Sequence, residues 1–298
     1  MEAALFTVSF AGFWGQDRRT LEESIDAAAD LGFRGVEIMG KRPHLSPLDW
    51  PLEECDRLRA RIEERGLALA AVAGYTNFTG GMGAAEVPFV EMQIAYVQEL
   101  AKRAARMGGD LVRVFTSYER DDVPLARQWQ TTVTALRECC DRASDLGVSI
   151  GVQNHHDLGV APKALEELLL QVDRPNLVPM VDCWSLFLRG EDVAATARRF
   201  GSRMRFTTVA DYVVLPRARY RPDLVNYAPA SPDFAMAVPM GDGDLPYDEF
   251  FAALGEAGFD GWVSYEMCSP LRGGGAIANL ERCARAFLEY FRRARLGA

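Results

Sequence analysis

The chain reads as an α/β protein, a (β/α)8 TIM barrel, on three observations. Short apolar runs alternate with longer amphipathic segments, the pattern of parallel strands joined by crossover helices. Eight such units fill residues 1–298 with no linker rich in Pro, Gly or Ser between them, which predicts one domain closed into a barrel. An open dinucleotide-binding sheet would need a Gly-rich turn after an early strand, and the stretches 80–83 and 273–275 have neither that spacing nor that strand.

The first unit sets the pattern. Leu5 to Phe10 is an apolar run, a loop with Gly12 and Gly15 follows, and Thr20 with Glu23 makes a capping box for a helix that Gly32 stops after Leu31. Further strands are expected at Gly35 to Met39, Leu67 to Ala73, Leu111 to Thr116, Val148 to Gln153, Leu177 to Asp182, Arg203 to Val209 and Gly261 to Glu266. Helices are expected between them at Pro51 to Arg65, Val87 to Met107, Val123 to Leu146, Pro162 to Val172, Glu191 to Phe200 and Pro246 to Glu256, with Ile277 to Arg295 last. An internal echo supports the register: Asp30 to Glu37 and Ala257 to Glu266 each run from a helix end through a glycine stop into a strand finishing in glutamate.

One connection departs from the spacing. Residues 210–244, after the seventh strand, far exceed an ordinary loop of about 2 to 6 residues. They carry Tyr212, Arg217, Arg219, Tyr220, Arg221, Tyr227, Phe234 and five prolines, a mixture that suits a stiff lid over the active-site face or an arm for subunit contact.

Composition narrows the partners. Of the residues, 49% are hydrophobic and 25% charged, as in a globular protein with a core that needs no staples. A formal charge of −9 and a pI near 5.0 repel phosphate backbones, so nucleic acid is not expected as a partner. No basic leader precedes the first strand and no apolar stretch approaches the roughly 20 residues that span a bilayer, so a cytoplasmic protein without membrane contact is expected. Six cysteines (Cys55, Cys139, Cys140, Cys183, Cys268, Cys283) lack CxxC spacing and read as reduced, structural thiols.

In such a barrel the chemistry sits where strands end. The fifth strand ends Ile150-Gly-Val-Gln153-Asn154-His155-His156, and a period of two puts Gln153 and His155 on one side. A carboxylate closing an apolar strand is costly to desolvate, so Asp182 and Glu266 look recruited, unless each is a buried pair with a cation. Two adjacent histidines out of three in the chain are informative by scarcity, set against the structural role a lone histidine often has.

These residues resemble the sugar isomerases and epimerases of the xylose isomerase-like barrel family, over nearly the whole chain. The likeness rests on Gly35-Val-Glu37, Gln153-Asn-His155, Asp182, Asp211, the stretch from Pro239 to Leu245, and Gly258 to Glu266. The resemblance implies a divalent metal held by a glutamate, an aspartate, a histidine and a glutamate of strands five to eight. Asp182 and Glu266 fit, but Gln153 stands for the first glutamate and Thr208 for the histidine, while Ser185 replaces a histidine often found three residues after the aspartate. Such a set should bind metal weakly; the expected ligands are Asp182, Glu266 and Gln153, rich in oxygen, which favours Mn or Mg over a tight Zn site. The histidine-poor composition excludes the endonuclease IV branch.

The expected activity is therefore proton abstraction next to a carbonyl of a small polyhydroxylated substrate, in an isomerase or epimerase. Glu266 is the expected base and His155 the second acid or base, an imidazole titrating near the working pH. Gln153, His156, Thr208 and Glu37 are expected to bind substrate, with Arg217 and Arg219 reaching in from the long loop. Two other readings stand beside it: a lyase or dehydratase acting on a cyclic polyol or glycoside, and a non-catalytic barrel that kept its pocket for binding. The resemblance also implies a homo-oligomer.

Overall fold

In a computed structural model, residues 1–267 and 270–297 are described, with the side chains of the last helix described through residue 294; Cys268 lies outside them. Eight parallel strands form one sheet: β1 (Glu2–Phe6), β2 (Gly35–Met39), β3 (Ala68–Ala73), β4 (Leu111–Val114), β5 (Ser149–Gln153), β6 (Leu177–Met180), β7 (Phe206–Val209) and, after a hairpin, β10 (Trp262–Tyr265). Hydrogen bonding runs from β6 through β5, β4, β3, β2, β1 and β10 to β7, a TIM barrel with one seam. At that seam the Thr207 hydroxyl donates to the Val181 carbonyl at 2.6 Å, replacing the missing ladder bonds between β6 and β7.

Local signals set the crossover helices. α1 (Leu21–Leu31) opens on the expected capping box, Thr20 Oγ1 accepting from Glu23 N and Glu23 Oε2 accepting from Thr20 N, and closes on Gly32 at φ 96°, a left-handed turn suited to glycine. The others are α2 (Glu54–Glu64), α3 (Phe89–Arg106), α4 (Leu125–Ser144), α5 (Pro162–Val172), α6 (Cys183–Leu188), α7 (Val193–Phe200), α8 (Tyr247–Glu256) and α9 (Ile277–Gly297). Their apolar faces pack on the outward strand residues Val36, Ile38, Val112, Val114, Ile150, Val152 and Val263 in one continuous core.

Three expectations change. The first strand covers Glu2–Phe6, and Thr7–Phe10 is a turn of 3-10 helix. The strand expected to reach Asp182 ends at Met180, because Asp182 caps α6 by accepting from Ser185 N at 2.7 Å. The long connection is no irregular loop: β8 (Asp211–Arg221) and β9 (Asn226–Val238) pair antiparallel from Asp211 opposite Val238 to Arg221 opposite Asn226. Prolines disguised it, yet a two-stranded ribbon has only edges, where proline is tolerated, and the register slips beside Pro216. Beyond Val214 this arm is largely exposed.

Candidate active site

Inward-facing strand residues stack in two layers. Ala4, Ala70, Ala71, Leu111, Met180 and Phe206, with Val178 and Trp262, form an apolar floor separate from the outer core. Further along the strands, toward their carboxyl ends, the same parity gives Glu37, Arg113, Gln153, Asp182, Thr208 and Ser264, with Glu266 two residues beyond Ser264. A polar layer thus lies above an apolar one, where a barrel of this type places its chemistry.

Gln153 joins three strands of that layer. Its Nε2 donates to Asp182 Oδ2 at 2.7 Å and to Thr208 Oγ1 at 3.2 Å, while its Oε1 is buried without a hydrogen-bond partner among the described residues. Asn154, facing the other way, locks the backbone: its Oδ1 accepts from Asp182 N at 2.7 Å. Burial pushes the Asp182 carboxyl up to about 6, against the pull of the Gln153 amide and the Ser185 contacts.

The neighbouring strand β4 carries a charge that sequence reasoning passed over. Arg113 of β4 is enclosed, its Nε 3.5 Å from Glu37 Oε1 and its Nη1 donating to the Gly74 carbonyl at 3.3 Å. Its guanidinium lies over Phe115, Tyr75 and Phe6 at 4.3, 5.2 and 5.3 Å from the ring centroids. Burial raises Glu37 to about 7, opposed by the Arg113 guanidinium. The signal was present, since a cation inside the apolar run Leu111-Val-Arg-Val114 is as costly as a carboxylate closing one. Lys41 was missed too: its ammonium sits 3.8 Å from the Tyr75 ring centroid, half-buried and lowered in pKa by burial and by Arg113.

The histidines differ from expectation. The strand stops at Gln153, His155 N donates back to Gln153 O at 2.7 Å, and His156 takes φ 65°, so the strand period does not extend to His155. A tight turn instead seats His155 between Phe115 and Trp184, with centroids at 4.8 and 5.2 Å, and 3.4 Å from Ser185 Oγ through Nδ1. Burial, then His156 and Arg113, hold His155 down at about 3, so it is neutral at working pH and does not titrate there as expected. His156 is held at about 4 by burial and Arg113, and stacks on Tyr118 at 4.0 Å.

Glu266, 7% exposed, follows β10 with the parity of Trp262 and Ser264. Its backbone is fixed on both sides, Glu266 N donating to Val209 O at 3.0 Å and Met267 N to Ser9 Oγ at 2.9 Å, while Gln16 Nε2 donates to Met267 O at 2.7 Å. Asp211 stands apart as a structural clasp, accepting from Gly241 N at 2.8 Å, Gly243 N at 3.1 Å and Tyr212 N at 2.9 Å. Arg217 and Arg219 are not brought to the polar layer. Both lie exposed on the arm, where Arg217 donates to the Pro232 carbonyl at 2.8 Å; the base of the arm touches the site's rim, Tyr212 against Trp184 at 5.7 Å.

The donor set does not fit the four-ligand metal site that the resemblance implied. An ion between strands five, six and seven would face the N–H donors of Gln153, which occupy Asp182 Oδ2 and Thr208 Oγ1, and Asp182 Oδ1 is taken by Ser185 N. Among the described residues no three His, Cys, Asp or Glu side chains form a group able to hold an ion.

A TIM barrel with carboxylates, amide and hydroxyl converging at its strand ends defines the class: an enzyme-type barrel with an enclosed polar site. The chain belongs to the xylose isomerase-like TIM barrel family, whose profile it matches over residues 25–293. Among curated proteins it is similar to the inosose dehydratase of Lacticaseibacillus casei, 24% identical over 259 residues covering 83% of this chain and 82% of that one. It is also similar to the fructoselysine 3-epimerase of Escherichia coli O157:H7, 21% identical over 275 residues covering 90% of each. Among solved structures, a D-allulose 3-epimerase from Methylomonas sp. shares the fold with TM-score 0.73 at 17% identity, covering 99% of this chain and 98% of that one. The curated relatives thus include both 3-epimerases and inosose dehydratases, a ketose 3-epimerase of Arthrobacter globiformis among them.

Proposed function

We propose that this protein enolises a small polyhydroxylated carbonyl compound of the ketose or inosose kind, moving a proton at the carbon next to the carbonyl. The observation that carries this reading is the polar layer itself: Glu37, Gln153, Asp182, Thr208 and Glu266 are buried and take the inward parity of five strands, within or just past them, beyond an apolar floor. Glu266 is the general base, a carboxylate at the site's edge able to take the proton. Asp182, raised to about 6, exchanges a proton near neutrality and hydrogen-bonds a substrate hydroxyl in either state. His155 stays neutral and serves as a hydrogen-bond donor to the developing enolate oxygen rather than as a strong base, because its basicity is low. Glu37 acts through Arg113, which it holds, and His156 lines the rim.

The lyase reading is favoured by one feature: with Gln153 in place of a second carboxylate, Glu266 can take the proton next to the carbonyl and return it to the departing hydroxyl, so that a carbon–carbon double bond forms and water leaves an inosose-like ring. The two are separated by incubation with D-fructose, D-allulose and an inosose in deuterium oxide, followed by proton NMR. Deuterium entering at the carbon beside the carbonyl supports enolisation, loss of water from the inosose supports the lyase, and neither reaction across all three rejects both in favour of a non-catalytic binding barrel.

The same reading takes the chain to be one domain in the cytoplasm, where its buried thiols stay reduced, acting on a small molecule with no nucleic-acid or membrane partner. Among the described residues no helix is long and apolar enough to cross a membrane. We assign the arm to contact between identical chains, since a lone two-stranded ribbon is marginally stable in water and this one exposes Leu215, Tyr220, Tyr227 and Phe234.

A further inference from the structure

We infer that this barrel has exchanged its family's divalent ion for the side-chain amide of Gln153, so that substrate oxygens meet hydrogen-bonding groups with no metal between. Three observations converge on it. Gln153 turns its nitrogen toward Asp182 Oδ2 and Thr208 Oγ1, at 2.7 and 3.2 Å. An ionised carboxylate only accepts hydrogen bonds, so the nitrogen, and not the oxygen, must face Asp182. The polarity of the contact is thus set by chemistry: the ground between strands five, six and seven is filled by N–H dipoles pointing at the acceptors that an ion would need.

The second observation is the amide oxygen left over. Gln153 Oε1 is buried without a hydrogen-bond partner among the described residues, an arrangement seldom kept unless a ligand completes it. Held by its own nitrogen, that oxygen is available to accept from a substrate hydroxyl. The third is the compensating cation. Arg113, enclosed on the neighbouring strand β4 and paired with Glu37 at 3.5 Å, contributes to the electrostatics of Asp182, His155 and His156. A fixed guanidinium in a low-dielectric layer supplies positive potential there without an exchangeable ion.

This inference rests on the reading of the polar layer as the active site, but its test requires no substrate, so a failure of the ketose or inosose proposal leaves the result interpretable. Purified wild-type protein and the double variant Gln153→Glu/Thr208→His are titrated with manganese chloride by isothermal calorimetry, and metal content after dialysis is read by mass spectrometry. The wild type should show no saturable manganese site. The double variant, given back a carboxylate and an imidazole, should bind one manganese per chain with affinity higher by at least about a hundredfold. One manganese per wild-type chain, lost in Asp182→Asn, overturns the inference. So does a double variant that melts like the wild type yet gains no manganese, because the two replacements would then not account for the difference.

Discussion

The Arg113 guanidinium and the Glu37 carboxylate, 3.5 Å apart, form a pair enclosed within the barrel, with Arg113 held over the rings of Phe6, Tyr75 and Phe115. Both charges are out of water, so each depends on the other more than a surface pair does. Removing the cation by Arg113→Met should cost about 3–5 kcal/mol in denaturant unfolding at pH 8, where Glu37 is ionised, and less in a Glu37→Gln background. Additive losses would show that the two side chains do not interact.

Burial of Glu37, which Arg113 only partly offsets, makes stability depend on pH. Glu37 titrates in the folded protein at about 7 against an ordinary 4.5, so its contribution is fully present below about 4.5 and is lost as pH rises through about 7. Asp182 acts in the same sense between 3.8 and about 6. His155 and His156, held at about 3 and about 4, act oppositely: their contribution is present above 6.5 and lost as pH falls toward those values. Comparing wild type with Glu37→Gln at each pH isolates the glutamate. The melting temperature of the wild type should gain on that of the variant between pH 8 and pH 5, and parallel curves would refute the assignment.

Catalysis should fall on Glu266 ahead of the histidines. Glu266→Gln should lower deuterium exchange into the substrate by about 10²- to 10⁴-fold at unchanged melting temperature, as expected for loss of a general base. His155→Gln, which keeps a neutral hydrogen-bonding group, should cost less, and any step in the rate between pH 6 and 7, where Asp182 and Glu37 titrate, should survive it, because the imidazole does not titrate there. A step near 6.5 that vanishes in His155→Gln would reinstate the imidazole as an acid or base.

The root of the arm depends on Asp211 and Gly243. A Cβ at residue 243 would lie 2.0 Å from Asp211 Oδ1 and 2.7 Å from the Tyr212 carbonyl, so Gly243→Ala must push the clasp open. Asp211→Ala strips acceptors from Gly241 N and Gly243 N and should cost about 1–3 kcal/mol. Both variants should be cut by trypsin within the arm, at Arg217, Arg219 or Arg221, faster than the wild type. Equal cleavage rates would mean that the clasp does not hold the arm.

Identical chains should associate through that arm. Tyr220→Ser/Tyr227→Ser removes the ring pair whose centroids lie 5.2 Å apart near its tip, and light scattering should then report a smaller assembly than for the wild type. An unchanged mass would place the contact elsewhere.

The sequence by itself determined the eight strand-helix units, because period, capping boxes and glycine stops are local and act within a turn of the residue that carries them. α5 and β2 fall where they were expected, and the capping box at Thr20 forms as read. It also singled out Gln153, Asp182, Thr208 and Glu266, as polar residues at the ends of apolar strands. Tertiary structure alone decided what those residues do to one another. Gln153 reaches Asp182 across 29 positions and Thr208 across 55, and which end of its amide faces the carboxylate depends on that meeting. The neutrality of His155 depends on the rings that close over it, and the role of Arg113 on a glutamate two strands away. Hydrogen-bond partners and desolvation are properties of the assembled interior, and nothing within reach along the chain records them.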